Sequence, residues 1–215
     1  MTAPQAQADQ LATLYYAHDP MCSWCWAFNP TWQQIQQRLP KSINIVRLVG
    51  GLAPDSHVPM PQEMQQFLQQ TWQRIQATVP GTEFNFDFWS RCNPRRSTYP
   101  ACRAVIAARQ QQSEQESAMT LAIQQAYYLD ARNPSDDATL IELASEIGLD
   151  VERFKGDLNA DQTQQALLDE INRCREMGAQ GFPSLILETQ QRRQLLPLDY
   201  VDPQMALQHI AKLLP

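Results

Sequence analysis

The sequence predicts an α/β fold: a small mixed sheet built from a βαβ half and a ββα half, separated by a large all-helical insertion. Three observations carry that expectation. The N-terminal part reads strand, helix, strand. Between Pro54 and Met177 strand patterning almost vanishes while helical apolar stripes recur. After Met177 two short apolar runs and an amphipathic tail return.

Residues 11–18, LATLYYAH, are short, apolar and bounded by Asp19-Pro20, as a buried strand is. From Ser23 to Leu39 the apolar residues Trp24, Phe28, Trp32 and Ile35 recur at steps of three or four, which is helical spacing, and Pro40 ends the run. Ile43, Ile45, Arg47 and Val49 then alternate with Asn44, Val46 and Leu48 up to Gly50-Gly51, giving a second strand and a parallel βαβ unit. In the insertion, Met64, Phe67, Leu68, Trp72 and Ile75 form one stripe, and Ala101, Ala104, Val105 and Ala108 another. Leu121, Ala122, Gln125 and Leu129 form a less regular third. SDDATLIELASEIG reads as a short helix capped around Ser135 and Asp136 and stopped at Gly148. A further helix runs from about Asp161 to Met177 and closes at Gly178. Ser184 to Glu188 and Gln194 to Leu196 read as strands around a turn near Gln190, and residues 203–214 as a terminal amphipathic helix. The expected division is a sheet unit of residues 10–54 and 178–215 and a helical insertion of residues 55–177.

The chain has 215 residues, 43% of them hydrophobic, enough for a sizeable core. A formal charge of −6 disfavours nucleic acid, whose phosphates require a basic face. No apolar run reaches membrane-spanning length, and MTAPQAQADQ has neither the basic start nor the apolar core of a signal peptide. The cytoplasm is therefore the expected compartment, where disulfides are mostly transient and catalytic. An odd count of five cysteines also argues against a structural disulfide framework.

HDPMCSWCWAF holds the chemistry. Cys22 and Cys25 flank Ser23-Trp24 just after a strand and at the opening of a helix. Three-residue spacing puts both side chains on one helical face, with Cβ atoms about 5–6 Å apart, close to the ~3.5–4.5 Å of a disulfide. Unpaired amides and the dipole at a helix N-terminus favour an anion, and the thiolate is the attacking form of cysteine. A zinc site needs a second ligand pair; Cys92, Cys102 and Cys174 form none, and His18, His57 and His209 are scattered, so no metal is expected. An inert buried pair would have no reason to open a helix. In GAQGFPSLIL, Pro183 precedes a strand. On its own it reads as an ordinary strand-opening proline, although the setting also admits a cis bond.

HDPMCSWCW, the helical insertion and GFPS before the returning strand together resemble the DsbA-like branch of the thioredoxin superfamily. GGLAP and RSTYPACRAVIAAR are similar to its cytosolic group of disulfide isomerases and FrnE-like proteins. The resemblance spans nearly the whole chain. It implies a thioredoxin fold and protein-disulfide oxidoreductase or isomerase activity. It also implies Cys22 as nucleophile, Cys25 as resolving cysteine, Pro183 in cis beside them, and the Phe182 backbone pairing with an extended substrate. Disulfide-containing proteins or peptides are then the partners, with no tightly bound cofactor and glutathione as a candidate redox partner. The Ser23-Trp24 dipeptide differs from the Pro-His of DsbA and the Gly-Pro of thioredoxin. These residues tune thiolate stability, so a redox potential does not carry over.

Other residues have competing readings. His18 and Asp19, at the strand end, are candidates for a proton relay to Cys25, or simply turn chemistry. Ser23 and Trp24, with Trp26, are candidate substrate contacts, while most of the aromatics Trp26, Phe28 and Trp32 are expected in the core. Met21 is a weaker neighbour of the thiol. Cys174 lies on an apolar helix face and reads as core. Cys92 and Cys102 flank a basic loop with Arg95 and Arg96 and are candidates for a second redox pair. Kappa-class glutathione transferases and 2-hydroxychromene-2-carboxylate isomerases share the layout and bind glutathione but use a serine instead of the cysteine pair, so retention of Cys22 and Cys25 speaks against that class, while the GGLAP loop (Gly50 to Pro54), Arg95 and Arg96 remain candidates for holding glutathione. A peptide-binding chaperone or adaptor is the non-enzymatic alternative.

Overall fold

The computed structural model of the chain describes residues 12–214. Leu11, the rest of the N-terminal stretch with the boundary at residue 10, and Pro215 lie outside them. The elements follow in the order β1 (Ala12–His18), α1 (Ser23–Arg38), β2 (Ile43–Val49), α2 (Gln62–Thr78), α3 (Phe88–Arg91), α4 (Tyr99–Gln111), α5 (Gln115–Tyr128), α6 (Asp137–Glu146), α7 (Val151–Leu158), α8 (Asp161–Glu176), β3 (Ser184–Thr189), β4 (Arg193–Leu195) and α9 (Gln204–Leu213).

The sheet order is β2-β1-β3-β4. β1 runs parallel to β2, from Ala12 opposite Ile43 to His18 opposite Val49, and antiparallel to β3, from Ala12 opposite Thr189 to Ala17 opposite Ser184. As the central pair member, β1 is covered on both faces, which explains a nearly unbroken apolar run. Leu14 and Tyr16 pack with Phe28, Trp32 and Ile35 of α1 and with Ile210 of α9. Tyr15 and Ala17 pack on the other face with Leu48, Cys174, Met177 and Ile186. Each large α1 side chain so buried contributes about 1.5–3 kcal/mol, and together they hold α1 against β1. α1 continues through Pro30, which is exposed. Lacking an N–H, this proline leaves the Trp26 carbonyl without its helical partner.

The helices between β2 and β3 surround α4, in which every residue from Pro100 to Ala108 is buried. Its alanines let α5, α7 and α8 approach closely, and the cluster extends to Val49 at the end of β2. Glu170 of α8 accepts the Val49 N–H at 2.8 Å and pairs with Arg109 of α4, tying the insertion to the sheet end where the loops of interest begin.

Several local expectations fail for identifiable reasons. Phe67 is 57% exposed, so the α2 stripe narrows to Thr71, Trp72 and Ile75. α5 buries Met119, Ile123, Ala126, Tyr127 and Tyr128 rather than the face of Leu121 and Gln125. Asp136 caps α6 by position without a side-chain bond, because its carboxylate pairs with Arg95 at 2.5 Å and the Ser135 hydroxyl donates to the Ser97 carbonyl. Two helices went unforeseen. α3 is too short to show periodicity, whereas α7 has a legible start, the Asp150 carboxylate accepting the Arg153 N–H.

Candidate active site

Parallel pairing brings the ends of β1 and β2 to one edge of the sheet, where β3 begins. Three loops therefore meet there: residues 19–22, residues 50–53 and the segment entering β3. The Gly50 N–H donates to the His18 carbonyl at 2.7 Å and joins the first two. A Cβ on Gly50 would run into the Phe182 ring, so glycine is what lets the third loop lie against the second.

Cys22 is the N-cap residue of α1. Its N–H donates to the Asp19 carbonyl and its own carbonyl accepts from Trp26, both at 3.0 Å, so a turn leads directly into the helix. N-caps usually offer a side-chain oxygen to the first-turn amides. Here the cap makes no side-chain hydrogen bond and the first turn contains no acidic residue. The open amides and the positive helix end thus adjoin a thiol. Cys22 Sγ donates to the Phe182 carbonyl at 3.3 Å, and the Phe182–Pro183 peptide is cis. Cys22 keeps 7% of its surface and Cys25 none, so the first sulfur is the more accessible. Burial pushes the Cys25 thiol well above its ordinary value, with Cys22 adding to the rise and the Asp19 backbone opposing it.

Asp19 is fully buried, and its carboxylate accepts from the Met21 N–H at 2.8 Å, the Leu52 N–H at 2.7 Å and the Thr98 hydroxyl at 2.7 Å. The Cys102 thiol adds a fourth donor at 3.5 Å. Burial raises the Asp19 carboxyl above its ordinary value while these donors pull it back. Its side chain is a bracket between the cysteine loop, the GGLAP loop and the start of α4. His18 is arranged otherwise. Its ring stacks on Tyr16 at 4.9 Å, and neither nitrogen has a hydrogen-bond partner. Burial, with Arg47 and Arg109 nearby, holds it down at about 3. No direct hydrogen bond links His18 to Cys25 among the described residues.

Trp24 is half-buried, its ring 4.9 Å from that of Tyr200 and 5.8 Å from the Arg74 guanidinium. Ser23 and Met21 line a shallow pocket with Arg95 and Arg96. Trp26 donates to the Glu83 carbonyl and stacks on Tyr128, while Phe28 and Trp32 are core. Cys92 and Cys102 face different clusters, their thiols donating to Ala131 and Asp19, so the structure does not bring them together as a pair. Cys174 is buried and pushed up to about 12 by desolvation. Among the described residues no three His, Cys, Asp or Glu side chains gather as a metal site, and no helix is long and apolar enough to cross a membrane.

Sequence reasoning missed Tyr16, whose buried phenol is raised by burial and then by the neighbouring Cys25 and Cys22, and Tyr200, raised in the same way. The individual roles of Thr98 and Gly50 were not readable either, although both lie in the RSTYPACRAVIAAR and GGLAP stretches that carry the resemblance.

A family model described as thioredoxin matches residues 15–195. The chain belongs to the thioredoxin family. Within that family its fold is DsbA-like. It is similar to the structure of a candidate protein disulfide isomerase from Nitrosomonas europaea, at 28% identity and a TM-score of 0.82 over 94% of this chain and 96% of that one. The cytosolic disulfide reductase DsbM from Pseudomonas aeruginosa shares the fold at 24% identity and a TM-score of 0.75, over 93% and 97% of the two chains. A DsbM structure with GSH superposes with a TM-score of 0.72 at 23% identity, over 93% and 98% of the two chains. Among curated proteins, ClpXP adapter protein SpxH of Bacillus subtilis is 24% identical over 80% of this chain, and that of Halalkalibacterium halodurans 25% identical over 80%. This thioredoxin-family chain spans 56–57% of the length of those two relatives.

Proposed function

We propose that the protein is a thiol–disulfide oxidoreductase acting through Cys22 and Cys25 on disulfides of proteins, peptides or small molecules. The observation that carries this reading is the Cys22 sulfur at 3.3 Å from the Phe182 carbonyl, beside cis Pro183, with Cys25 buried further along the same helix. The Cys22 thiolate attacks one sulfur of a substrate disulfide. A Cys22–substrate bond forms, the substrate S–S bond breaks, and the departing sulfur leaves as a thiolate that takes up a proton. Cys25 then loses its proton and attacks Cys22 Sγ, releasing the second substrate thiol and leaving a Cys22–Cys25 disulfide. The two electrons gained by the substrate come from this dithiol.

Charge organises the order of steps. Cys22 is the main contributor, after burial, to keeping Cys25 protonated. Once Cys22 is bonded to substrate that influence is gone, so Cys25 ionises more readily when resolution is required. Phe182, with its backbone beside the sulfur, and Pro183, Ser23 and Trp24 around it are assigned to substrate binding. Asp19 is a positioning residue. Residues 10–54 and 178–215 would carry the chemistry and residues 55–177 its cover.

Return to the dithiol needs an external thiol, and glutathione in a cytoplasmic setting fits. The shallow pocket beside Met21 and Ser23 presents Arg96, which is exposed and has no ion pair among the described residues. The DsbM structure with GSH supports the same partner. Insulin reduction with glutathione tests the reading: Cys22→Ser should abolish turnover, and Cys25→Ser should accumulate mixed disulfides. Wild-type turnover by Cys22→Ser would overturn it. A second reading is an adaptor role, favoured by the SpxH relatives; it predicts partner binding that survives loss of both cysteines.

A further inference from the structure

The strand beneath α1 carries a phenol directed at the second cysteine. Cys25, Phe28, Trp32 and Ile35 recur at helical spacing along the buried face of α1, and that face lies on the side of β1 from which Leu14 and Tyr16 project. The Tyr16 ring is held between His18 at 4.9 Å and Trp32 at 4.5 Å, with Phe28 at 6.2 Å, so its hydroxyl has one fixed direction. Cys25 stands one helical turn before Phe28 on the same face, and the Tyr16 hydroxyl reaches its sulfur as a hydrogen-bond partner. Neither group is open to bulk water, Tyr16 being 3% exposed and Cys25 fully buried.

Other side chains near the pair do not serve Cys25. Both His18 nitrogens lack a hydrogen-bond partner, and the Asp19 carboxylate is taken up by Met21, Leu52, Thr98 and Cys102. The Tyr128 hydroxyl has no partner, and Tyr200 meets its neighbours through its ring, with Phe28 at 5.7 Å and Trp24 at 4.9 Å. Burial, and then the cysteines, hold the Tyr16 phenol well above its ordinary value, so it stays a neutral donor. A buried thiolate without donors bears its full desolvation cost, and a hydrogen bond from a neutral donor to an anion is among the stronger kinds.

We propose that Tyr16 is a catalytic residue of the resolving step, donating its O–H to the Cys25 sulfur as that sulfur becomes a thiolate. The assignment rests on the redox reading above and supplies the donor its second step lacks. In the mixed disulfide, Cys25 gives its proton to the medium and its sulfur attacks Cys22 Sγ. The Cys22–substrate bond breaks, the Cys22–Cys25 bond forms, and the substrate sulfur leaves with the electron pair. Tyr16 keeps its own proton and exchanges no electrons. Its bond is strongest while Cys25 is charged, so it favours the attacking state over the thiol before it and the disulfide after it.

Stopped-flow reaction of the reduced protein with dithiobis(nitrobenzoate), a chromogenic aromatic disulfide, separates the two steps. A first release of coloured thiolate reports attack by Cys22, and a second reports resolution by Cys25. Tyr16→Phe keeps the ring between His18 and Trp32 and removes only the hydroxyl, and it should slow the second release about tenfold or more relative to the first. Replacement of Tyr16 by meta-fluorotyrosine, a stronger donor of nearly the same shape, should make the second release faster than in wild type near neutral pH. A merely structural role would not give that response. An unchanged second release in Tyr16→Phe, or a fluorinated protein as slow as Tyr16→Phe, would overturn the assignment. If Tyr16→Phe fails to fold, the fluorinated protein decides, and a second release no faster than wild type refutes it. A first release unaffected by Cys22→Ser would instead sink the redox reading, and the role of Tyr16 with it.

Discussion

Gly50→Ala tests whether the Phe182 loop is held where the proposed chemistry requires it. Gly50 is not among the positive-φ glycines, so alanine suits its backbone and the perturbation is confined to one new carbon. That carbon would fall within the Phe182 ring, closest to Cζ and Cε1, with even the third atom, Cε2, at 2.6 Å. Carbon atoms pack at about 3.5–4.0 Å, so the ring must retreat by about 2 Å. Phe182 packs with Leu48, Met177 and Ile186. Swinging the ring into solvent would forfeit about 1–2 kcal/mol of burial. Moving the loop instead would shift the Phe182 carbonyl away from Cys22, and a misplacement of about 1 Å at a reacting centre costs up to about hundredfold in rate. Insulin reduction should therefore fall about tenfold to hundredfold in kcat/KM, and Tm should drop by about 2–8 °C. The cause can be isolated by a double-mutant cycle, because Phe182→Ala removes the ring that the added methyl group would strike. In that background Gly50→Ala should add nothing. Full activity with a wild-type Tm in Gly50→Ala, or an equal loss in the Phe182→Ala background, would refute the reasoning.

Three further outcomes follow from named residues. His18 has its pKa lowered from 6.5 to about 3, so the unfolded chain binds its proton first. The associated stability is complete above pH 6.5 and is lost toward pH 3, at up to about 1.4 kcal/mol per unit. His18→Phe, which keeps a ring on Tyr16, should flatten urea-unfolding stability between pH 6.5 and 4; an unchanged slope would assign the acid sensitivity elsewhere. Trp72 is 1% exposed among Phe84, Phe88, Tyr127 and Tyr128, so Trp72→Ala should cost about 3–5 kcal/mol and lower Tm by about 10 °C in calorimetry. Arg96→Glu should raise KM for glutathione several-fold without altering kcat or Tm, and an unchanged KM would separate the shallow pocket from glutathione.

Legibility followed the range of the interactions. Both strands of the βαβ half and the stop at Gly178 were readable because a period or a single φ requirement marks each of them. The α5 helix was misread because it buries polar residues. Glu116 and Gln124 sit on its inner face, matched by Arg109 and by Asn29 from other elements, so its apolar periodicity points partly the wrong way. Phe67 fails in the opposite sense, being an apolar residue left 57% exposed. The cysteine pair and Pro183 were visible because spacing and a neighbouring strand express their chemistry locally.

Asp19 was not legible in the same way, and the reason bears on what the helical insertion does. In sequence it is half of an Asp-Pro turn, and a relay is the obvious chemistry for a carboxylate beside a thiol. Its actual donors lie 2, 33, 79 and 83 residues away, at Met21, Leu52, Thr98 and Cys102. Two of the four belong to the insertion, and Thr98 is also bound to Ala53, whose N–H donates to the Thr98 hydroxyl at 3.1 Å. Arg103 of α4 adds a bidentate clasp on Asp55. One buried carboxylate thereby sets the height of the loop that ends in Cys22 by reference to α4. The insertion is then part of what positions Cys22, the nucleophile of the proposed reaction, and a change in the packing of α4 reaches Cys22 through the Asp19 side chain without touching either sulfur.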